Sequence, residues 1–400
     1  MEKTNNTFPH NPLRFDSEGL NRSEVLALYQ QLLLPRMIEE KMLSQLRQGK
    51  ISKWFSGIGQ EAISVGVAAA MPDDTWILPM HRNLGIFTTR GITLDRLFSQ
   101  FKGKEHGFTK GRDRSFHFGS KDHKICGMIS HLGPQLGIAD GIALAHKLDN
   151  SGKSTFVFTG DGGASEGDFH EAVNVAAVWQ LPVIIGIENN SWGLSTPSAE
   201  QYRCAHFTDK AIGYGIPAED AIQVDGNDIL AVYNTVRKCV ESLRENPRPI
   251  ILEFKTFRIR GHEEASGTKY YPEGLIEKWQ EVDPVERFTA HLKASGGLSN
   301  EEESDMREMH KAAILEGLKI SSDLPDIVAN VDVELGDRFA PGTPDPTPPT
   351  TEGRELRLID AIQEGLGMSM EKNEGMVCMG QDIGSYGGVF KVTDGFLERF

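Results

Sequence analysis

The sequence predicts an α/β fold, a doubly wound parallel sheet followed by the truncated start of a second, similar domain. Three observations carry that prediction. Two apolar runs of strand length, Ser154–Thr159 and Pro182–Ile187, flank a stretch whose apolar residues recur at helical spacing. Strand-like and helical segments go on alternating as far as Phe254, the pattern of a parallel sheet with helices on both faces. A cluster of prolines at 341–349 then separates this region from a fresh helical segment.

Four hundred residues are enough for one large or two ordinary domains, and 39% hydrophobic with 25% charged residues suits a globular chain that buries a core. The net charge of −15 argues against nucleic acid or an anionic membrane as the main partner. No apolar run approaches the ~18 residues of a membrane span. Cys126, Cys204, Cys239 and Cys378 show neither metal spacing nor a disulfide framework and read as free thiols. The opening MEKTNNTFPHNPLRFD has no apolar signal core and is not Arg-rich, so a cytoplasmic address is expected.

In chain order, residues 1–22 read as irregular, and the main domain is expected over 23–335. Ser23 caps a helix with Val25, Leu26, Tyr29, Leu32 and Leu33 on one face, kinked at Pro35 and continuing to Gly49. Gly57–Ala62 turns into an Ala/Val/Gly-rich helix ending near Met71, and the apolar Trp76–Pro79 leads into Met80-His81-Arg82. Residues 103–127, with five spaced glycines and many basic side chains, form a long loop, a length that points to function. Residues 135–148 are helical. The β-α-β unit follows, its helix opened by a capping box at Ser165–Asp168 and continued through Phe169, Ala172, Val173, Ala176 and Ala177. A strand at Ala221–Val224, a helix over 227–244 and a strand at Pro249–Phe254 complete the alternation. Residues 336–352 read as a semi-rigid Pro-rich linker. Beyond it come a helix from Arg354 to about Lys372, a strand at Met376–Met379 and a Gly-rich stretch. About fifty residues cannot bury a core of this kind, so 353–400 reads as the beginning of a second domain in a longer polypeptide.

A right-handed crossover puts the carboxyl ends of both strands of the β-α-β unit on one sheet edge. Asp161, in the Gly160-Asp161-Gly162 turn, and Asn190, after the second strand, are therefore expected as neighbours. Two protein oxygens there are what a diphosphate-bound Mg²⁺ needs, and the adjacent helix amino terminus suits the phosphates. Taken singly, each residue has a plainer reading: the turn without a ligand, the Asn189-Asn190 pair as loop, Arg82 as an ion-pair partner, His262 as a surface histidine, and His117 and His123 as loop residues. Gly160–Ser165 lacks the spacing of a dinucleotide fingerprint, and Lys147 stands where a phosphate loop ending at Ser154 requires glycine.

The stretches GDGGASEGDFHEA and IENNSWGLSTP together resemble the thiamine diphosphate signature. GIGQEAISVG, PMHRNLG, GRDRSFHFGS and RIRGHEEASG are similar to the α part of the first component of 2-oxo acid dehydrogenase complexes, the branched-chain (2-oxoisovalerate) type in particular. The resemblance covers about residues 25–330, and 354–400, with GQDIGSYGGVFKVTDGFLERF, is similar to the start of that component's β part. It implies the thiamine diphosphate-binding fold, with Mg²⁺ on Asp161, Asn190 and the backbone carbonyl of Trp192. Gly162 and Gly163 would admit the diphosphate, Arg82 would clamp it beside His81, and Ser130 and Leu132 would face the cofactor's rings. His262, at the diphosphate, and His131 are the implied catalytic histidines, His262 as a proton donor titrating near neutrality during acyl transfer. The implied activity is oxidative decarboxylation of a 2-oxo acid with transfer to a lipoyl-bearing acyltransferase, in at least a dimer of fused chains. Four positions depart from the family pattern: His81 stands where relatives often have tyrosine, Glu263 replaces a phosphorylated serine, Glu188 an arginine, and Pro134 a potassium-site threonine. The glutamate that protonates the cofactor's aminopyrimidine is expected beyond residue 400. A pyruvate or acetoin enzyme, or a non-catalytic phosphate-binding assembly module, remains open at this stage.

Overall fold

The computed structural model describes residues 15–113, 116–130, 132–339, 342, 348 and 352–400. The chain falls into two units, Met1–Val328 and Ala329–Phe400.

In the first unit, helix α1 (Arg22–Arg47) begins two residues earlier than expected, because Asn21 and not Ser23 is its cap: Asn21 accepts from the Glu24 amide while the Glu24 carboxylate reaches back. It passes through Pro35 as one element. A proline there costs about 3 kcal/mol, and the fully buried Leu32, Leu33, Ile38 and Met42 around it outweigh that loss. Helix α2 (Glu61–Ala70) follows as anticipated, and the apolar Trp76–Pro79 segment supplies a short strand, β1 (Ile77–Leu78). Two short helices, α3 (Leu84–Thr89) and α4 (Leu94–Phe101), precede α5 (Pro134–Leu148), which Pro134 opens at a position needing no amide hydrogen.

Strand β2 (Thr155–Gly160), helix α6 (Gly167–Trp179) and strand β3 (Val183–Asn189) form the expected β-α-β unit. The Ser165 capping box is not made. A tight turn at Gly163–Ser165 intervenes and draws the Ser165 hydroxyl back onto the Asp161 carbonyl at 3.3 Å, so Glu166 takes the cap position of α6 and its side chain does not bond the helix's first amides. A small hairpin of β4 (Trp192–Gly193) and β5 (Thr196–Pro197) leads through α7 (Ser198–Gln201) to β6 (Ala221–Asp225), α8 (Ile229–Glu245) and β7 (Ile250–Lys255). Helices α9 (Leu275–Gln280), α10 (Pro284–Ala294) and α11 (Asn300–Asp323) end the unit.

The sheet has five parallel strands in the order β1-β2-β3-β7-β6. Alternate residues of each strand serve opposite faces, as the pleat requires. Phe156, Phe158, Ile184, Leu252 and Phe254 pack toward α2, α3 and α8, whereas Val157, Ile185, Ile187 and Ile251 pack toward α5 and α6. Both faces are covered, so the strands read as continuous apolar runs. The described part of loop 103–127 contributes to this core through Phe116 and Phe118.

The second unit contains α12 (Val331–Gly336), α13 (Leu358–Lys372) and α14 (Phe396–Arg399). The strand expected at Met376–Met379 is absent: that segment is irregular, and no other strand exists among the unit's described residues to take up its backbone bonds. Of the Pro-rich stretch 341–349, only Gly342 and Pro348 are described.

Candidate functional site

Strands β2 and β3 run in register with Gly160 opposite Glu188, so Asp161 and the Asn189-Asn190 pair leave the sheet side by side. They open onto a cavity of about 500 Å³. Its lining includes His81, Arg82, Ser130, Leu132, Asp161, Gly162, Gly163, Asn190, Trp192 and His262, together with Glu188, Leu194 and Arg258, for which the sequence suggested no binding role. His131 lies outside the described residues.

Local bonding fixes these groups. The Asn189 amide donates to Glu253 at 2.7 Å and to the Tyr202 hydroxyl at 3.1 Å, which anchors the turn presenting Asn190. The Asn190 side-chain oxygen accepts from the Trp192 amide at 3.2 Å, and the Trp192 ring packs on Tyr270 and Tyr271. Leu132 adopts a left-handed backbone (φ 60°), uncommon for leucine and a strain typical of functional loops. Its carbonyl accepts from Gln135 at 2.9 Å and Thr159 at 3.2 Å, which holds it there. A Cβ on Gly163 would stand 2.5 Å from the Thr159 hydroxyl and 3.1 Å from the Leu132 carbonyl, so close packing alone requires glycine.

Charge in the cavity is crowded and poorly solvated. Burial pushes the Asp161 carboxyl up to about 6, against the pull of Arg258, and its Oδ2 has no hydrogen-bond partner. Burial likewise raises Glu188 to about 7, although Asn83 donates to it at 2.5 Å and Gln60 at 2.9 Å. Burial, then Arg258, lowers Arg82 to about 9. The Nε atoms of Arg82 and Arg258 and the Trp192 indole N–H are buried without partners.

His262 is where the sequence reading needs correction. Burial first, then Arg82 and Arg258, hold its imidazole down to about 3, so it does not titrate near neutrality in this environment. Arg82 donates to the His262 carbonyl, and guanidinium nitrogens of Arg82 and Arg258 stand 3.1 and 3.2 Å from its Nδ1. His81 is also held well below its ordinary value, by burial and then Arg82. Arg258 is the residue that sequence reasoning missed: it sits inside the RIRGHEEASG stretch, but nothing local distinguishes it from the exposed-facing Arg260, which pairs with Glu264 at 2.6 Å.

This donor set offers an unpaired carboxylate oxygen, amide and carbonyl oxygens, and unsatisfied cationic N–H groups in one cavity. That combination fits a divalent cation together with a polyanion. Among the described residues no group of three or more His, Cys, Asp or Glu could hold a metal. A hard cation that keeps phosphate oxygens as ligands does not require one.

The family described as dehydrogenase E1 component matches residues 29–328. The chain is 36% identical over 309 residues to a 2-oxoisovalerate dehydrogenase subunit alpha 1, mitochondrial, of Arabidopsis thaliana, covering 76% of this chain and 65% of that protein. It therefore spans just under two thirds of the length of that plant relative. It is 35% identical over 315 residues to the 2-oxoisovalerate dehydrogenase subunit alpha of Bacillus subtilis, covering 78% of this chain and 94% of the relative. A 3-methyl-2-oxobutanoate dehydrogenase subunit alpha of Mycobacterium tuberculosis is 33% identical over 287 residues, 71% of this chain and 75% of the relative.

Proposed function

The chain belongs to the dehydrogenase E1 component family, and from that premise we propose that it carries out the thiamine diphosphate- and Mg²⁺-dependent oxidative decarboxylation of a branched-chain 2-oxo acid, passing the acyl group to the lipoyl arm of a partner acyltransferase. The observation that carries this reading is the pairing, across one sheet edge, of a partnerless Asp161 oxygen with Asn190, beside two buried guanidinium groups. Relatives named for 2-oxoisovalerate and 3-methyl-2-oxobutanoate support the branched-chain substrate.

In this reading Asp161, the Asn190 side chain and the Trp192 carbonyl would hold Mg²⁺. Arg82, Arg258 and the amino end of α6 would offset the diphosphate charge. Ser130 and Leu132 would position the rings, with His81 behind Arg82. When bound, thiamine diphosphate supplies the nucleophilic carbon and the electron sink for decarboxylation. His262 is assigned to the acyl-transfer step, with His131 as a second candidate. Residues 354–400 are read as the start of a β part, on the resemblance of that segment and on its being too short to bury a core of its own. Association at least as a dimer is part of the same proposal. So is the cytoplasmic address, on which the relatives' names differ.

Titrating thiamine diphosphate with and without Mg²⁺, followed by tryptophan fluorescence, tests the site. Saturable quenching that needs the metal is expected; no cofactor-specific response would leave the assembly-module reading in its place. A panel of 2-oxo acids with an artificial electron acceptor, assayed with the partner components present, decides between branched-chain, pyruvate and acetoin substrates.

A further inference from the structure

Two arginines from distant parts of the chain converge on one nitrogen. Arg82 Nη2 lies 3.1 Å and Arg258 Nη1 3.2 Å from His262 Nδ1. A guanidinium has only N–H donors and no acceptor. His262 Nδ1 must therefore present its lone pair, and the ring's proton must sit on Nε2. We propose that Arg258, with Arg82, is a positioning residue that locks His262 as the neutral Nε2–H tautomer, so that His262 meets a ligand in the cavity as a hydrogen-bond donor through Nε2 and never as imidazolium.

The surroundings support the lock from each side. Phe55 packs edge-on against the His262 ring at 5.6 Å and against His81 at 5.0 Å, and the two histidine rings stand 5.8 Å apart. The titratable and charged groups facing the ring are thus the guanidinium groups of Arg82 and Arg258, the His81 imidazole and the Tyr270 hydroxyl, which accepts from the His262 amide at 3.0 Å. A proton on Nδ1 would face two cations at hydrogen-bond distance, whereas one on Nε2 meets neither. Arg258 is itself held: it is buried, and its Nη2 donates to the Leu194 carbonyl at 2.7 Å. The chemical consequence rests on the proposed function. A neutral Nε2–H donates a hydrogen bond to an anionic oxygen without losing its proton, whereas protonating a leaving thiolate would turn the ring into an imidazolate that must take a proton back from solvent. His262 is then better suited to stabilising charge than to delivering a proton.

The test reads the ring directly. The full chain is labelled with ¹⁵N-histidine, and ring nitrogen shifts are recorded between about pH 5 and 8, the window in which an ordinary imidazole changes charge. The His262 signals are assigned by their loss in His262→Gln. The expected result is a pyridine-like Nδ1 and a pyrrole-like Nε2 at every pH. Arg258→Met should move both shifts toward averaged values and let the ring protonate within the window, and Arg258→Lys should restore the wild-type pattern in part. An Nδ1–H pattern or an imidazolium in the wild-type protein overturns the proposal, as does an Arg258→Met spectrum identical to wild type. Should Arg258→Met fail to fold, the wild-type and Arg258→Lys spectra still decide. Because these spectra are taken without cofactor, a negative thiamine diphosphate titration would sink the proposed function and leave the tautomer standing.

Discussion

At the scale of single residues, the cavity is built from groups that burial leaves unsatisfied. The Asp161 carboxylate is the sharpest case: fully enclosed, raised to about 6, with one oxygen partnerless. Removing its charge relieves a desolvation cost in the empty protein and removes a metal ligand in the loaded one. Asp161→Asn should therefore leave the melting temperature unchanged or raised, and should weaken Mg²⁺-dependent thiamine diphosphate binding by at least about 100-fold, since outer-shell partners alone cost 10–100-fold. Isothermal titration measures the second effect, and undiminished affinity would remove Asp161 from the metal. Gly163→Ala should act through packing, because the added Cβ meets the Thr159 hydroxyl at 2.5 Å. A loss of about 1–3 kcal/mol in urea unfolding is expected.

At the scale of elements, helices α1, α2 and α10 are joined by a buried charge cluster. Arg36 of α1 bonds Glu61 of α2 at 2.5 Å and Asp283, the cap of α10, at 2.8 Å. Glu61 in turn accepts from the Gly59 amide at 2.8 Å, and Glu39 of α1 accepts from Gly57 at 2.8 Å, so these helices also hold the loop that carries Phe55 behind His81. Arg36→Met should cost about 3–5 kcal/mol, because it strands two buried carboxylates. A change below about 1 kcal/mol in chemical denaturation would show the cluster to be solvated. Helix α5 carries the opposite situation. Asp140 is buried with both oxygens unpartnered, and burial alone raises it to about 7. Its folded value lies above the unfolded value of ~3.9, so the folded state binds the extra proton. Its contribution to stability is intact below about pH 4 and is lost as pH rises through about 7, by an amount on the order of 4 kcal/mol. Asp140→Asn should match wild type at pH 4 and melt higher at pH 8; equal melting at both would mean that Asp140 is hydrated or paired.

At the scale of the whole molecule, the residues lining the cavity all belong to Met1–Val328, and so do both clusters that cover the sheet. A chain ending at Val328 should therefore fold and bind thiamine diphosphate and Mg²⁺ with the affinity of the 400-residue chain. A large loss of affinity in that shortened chain would show that Ala329–Phe400 contributes to the site. The second unit stands apart in composition of structure as well. Of the α13 side, only Gly367 is buried, and Leu358 and Phe390 are about four-fifths exposed.

The strands around residues 154–189, the helix between them and the sheet edge from which Asp161 and Asn190 both line the cavity were legible from sequence alone. Period, chirality and the short reach of a crossover are local properties, and β-branched runs bounded by Gly and Asn express them directly. The capping pattern Ser299-Asn300-Glu301-Glu302 also announced α11, a signal the sequence reading passed over. Tertiary structure decided the rest. Met376–Met379 has the composition of a strand but no partner, and Ser165 has the composition of a cap but a nearer carbonyl. The titration of His262 is set by burial and by a guanidinium 180 residues away, and that of Glu188 by a burial that outweighs the hydrogen bond from Asn83. Pattern fixes which backbone ribbons lie side by side, whereas solvation and the placing of charges depend on what folds over them from elsewhere in the chain.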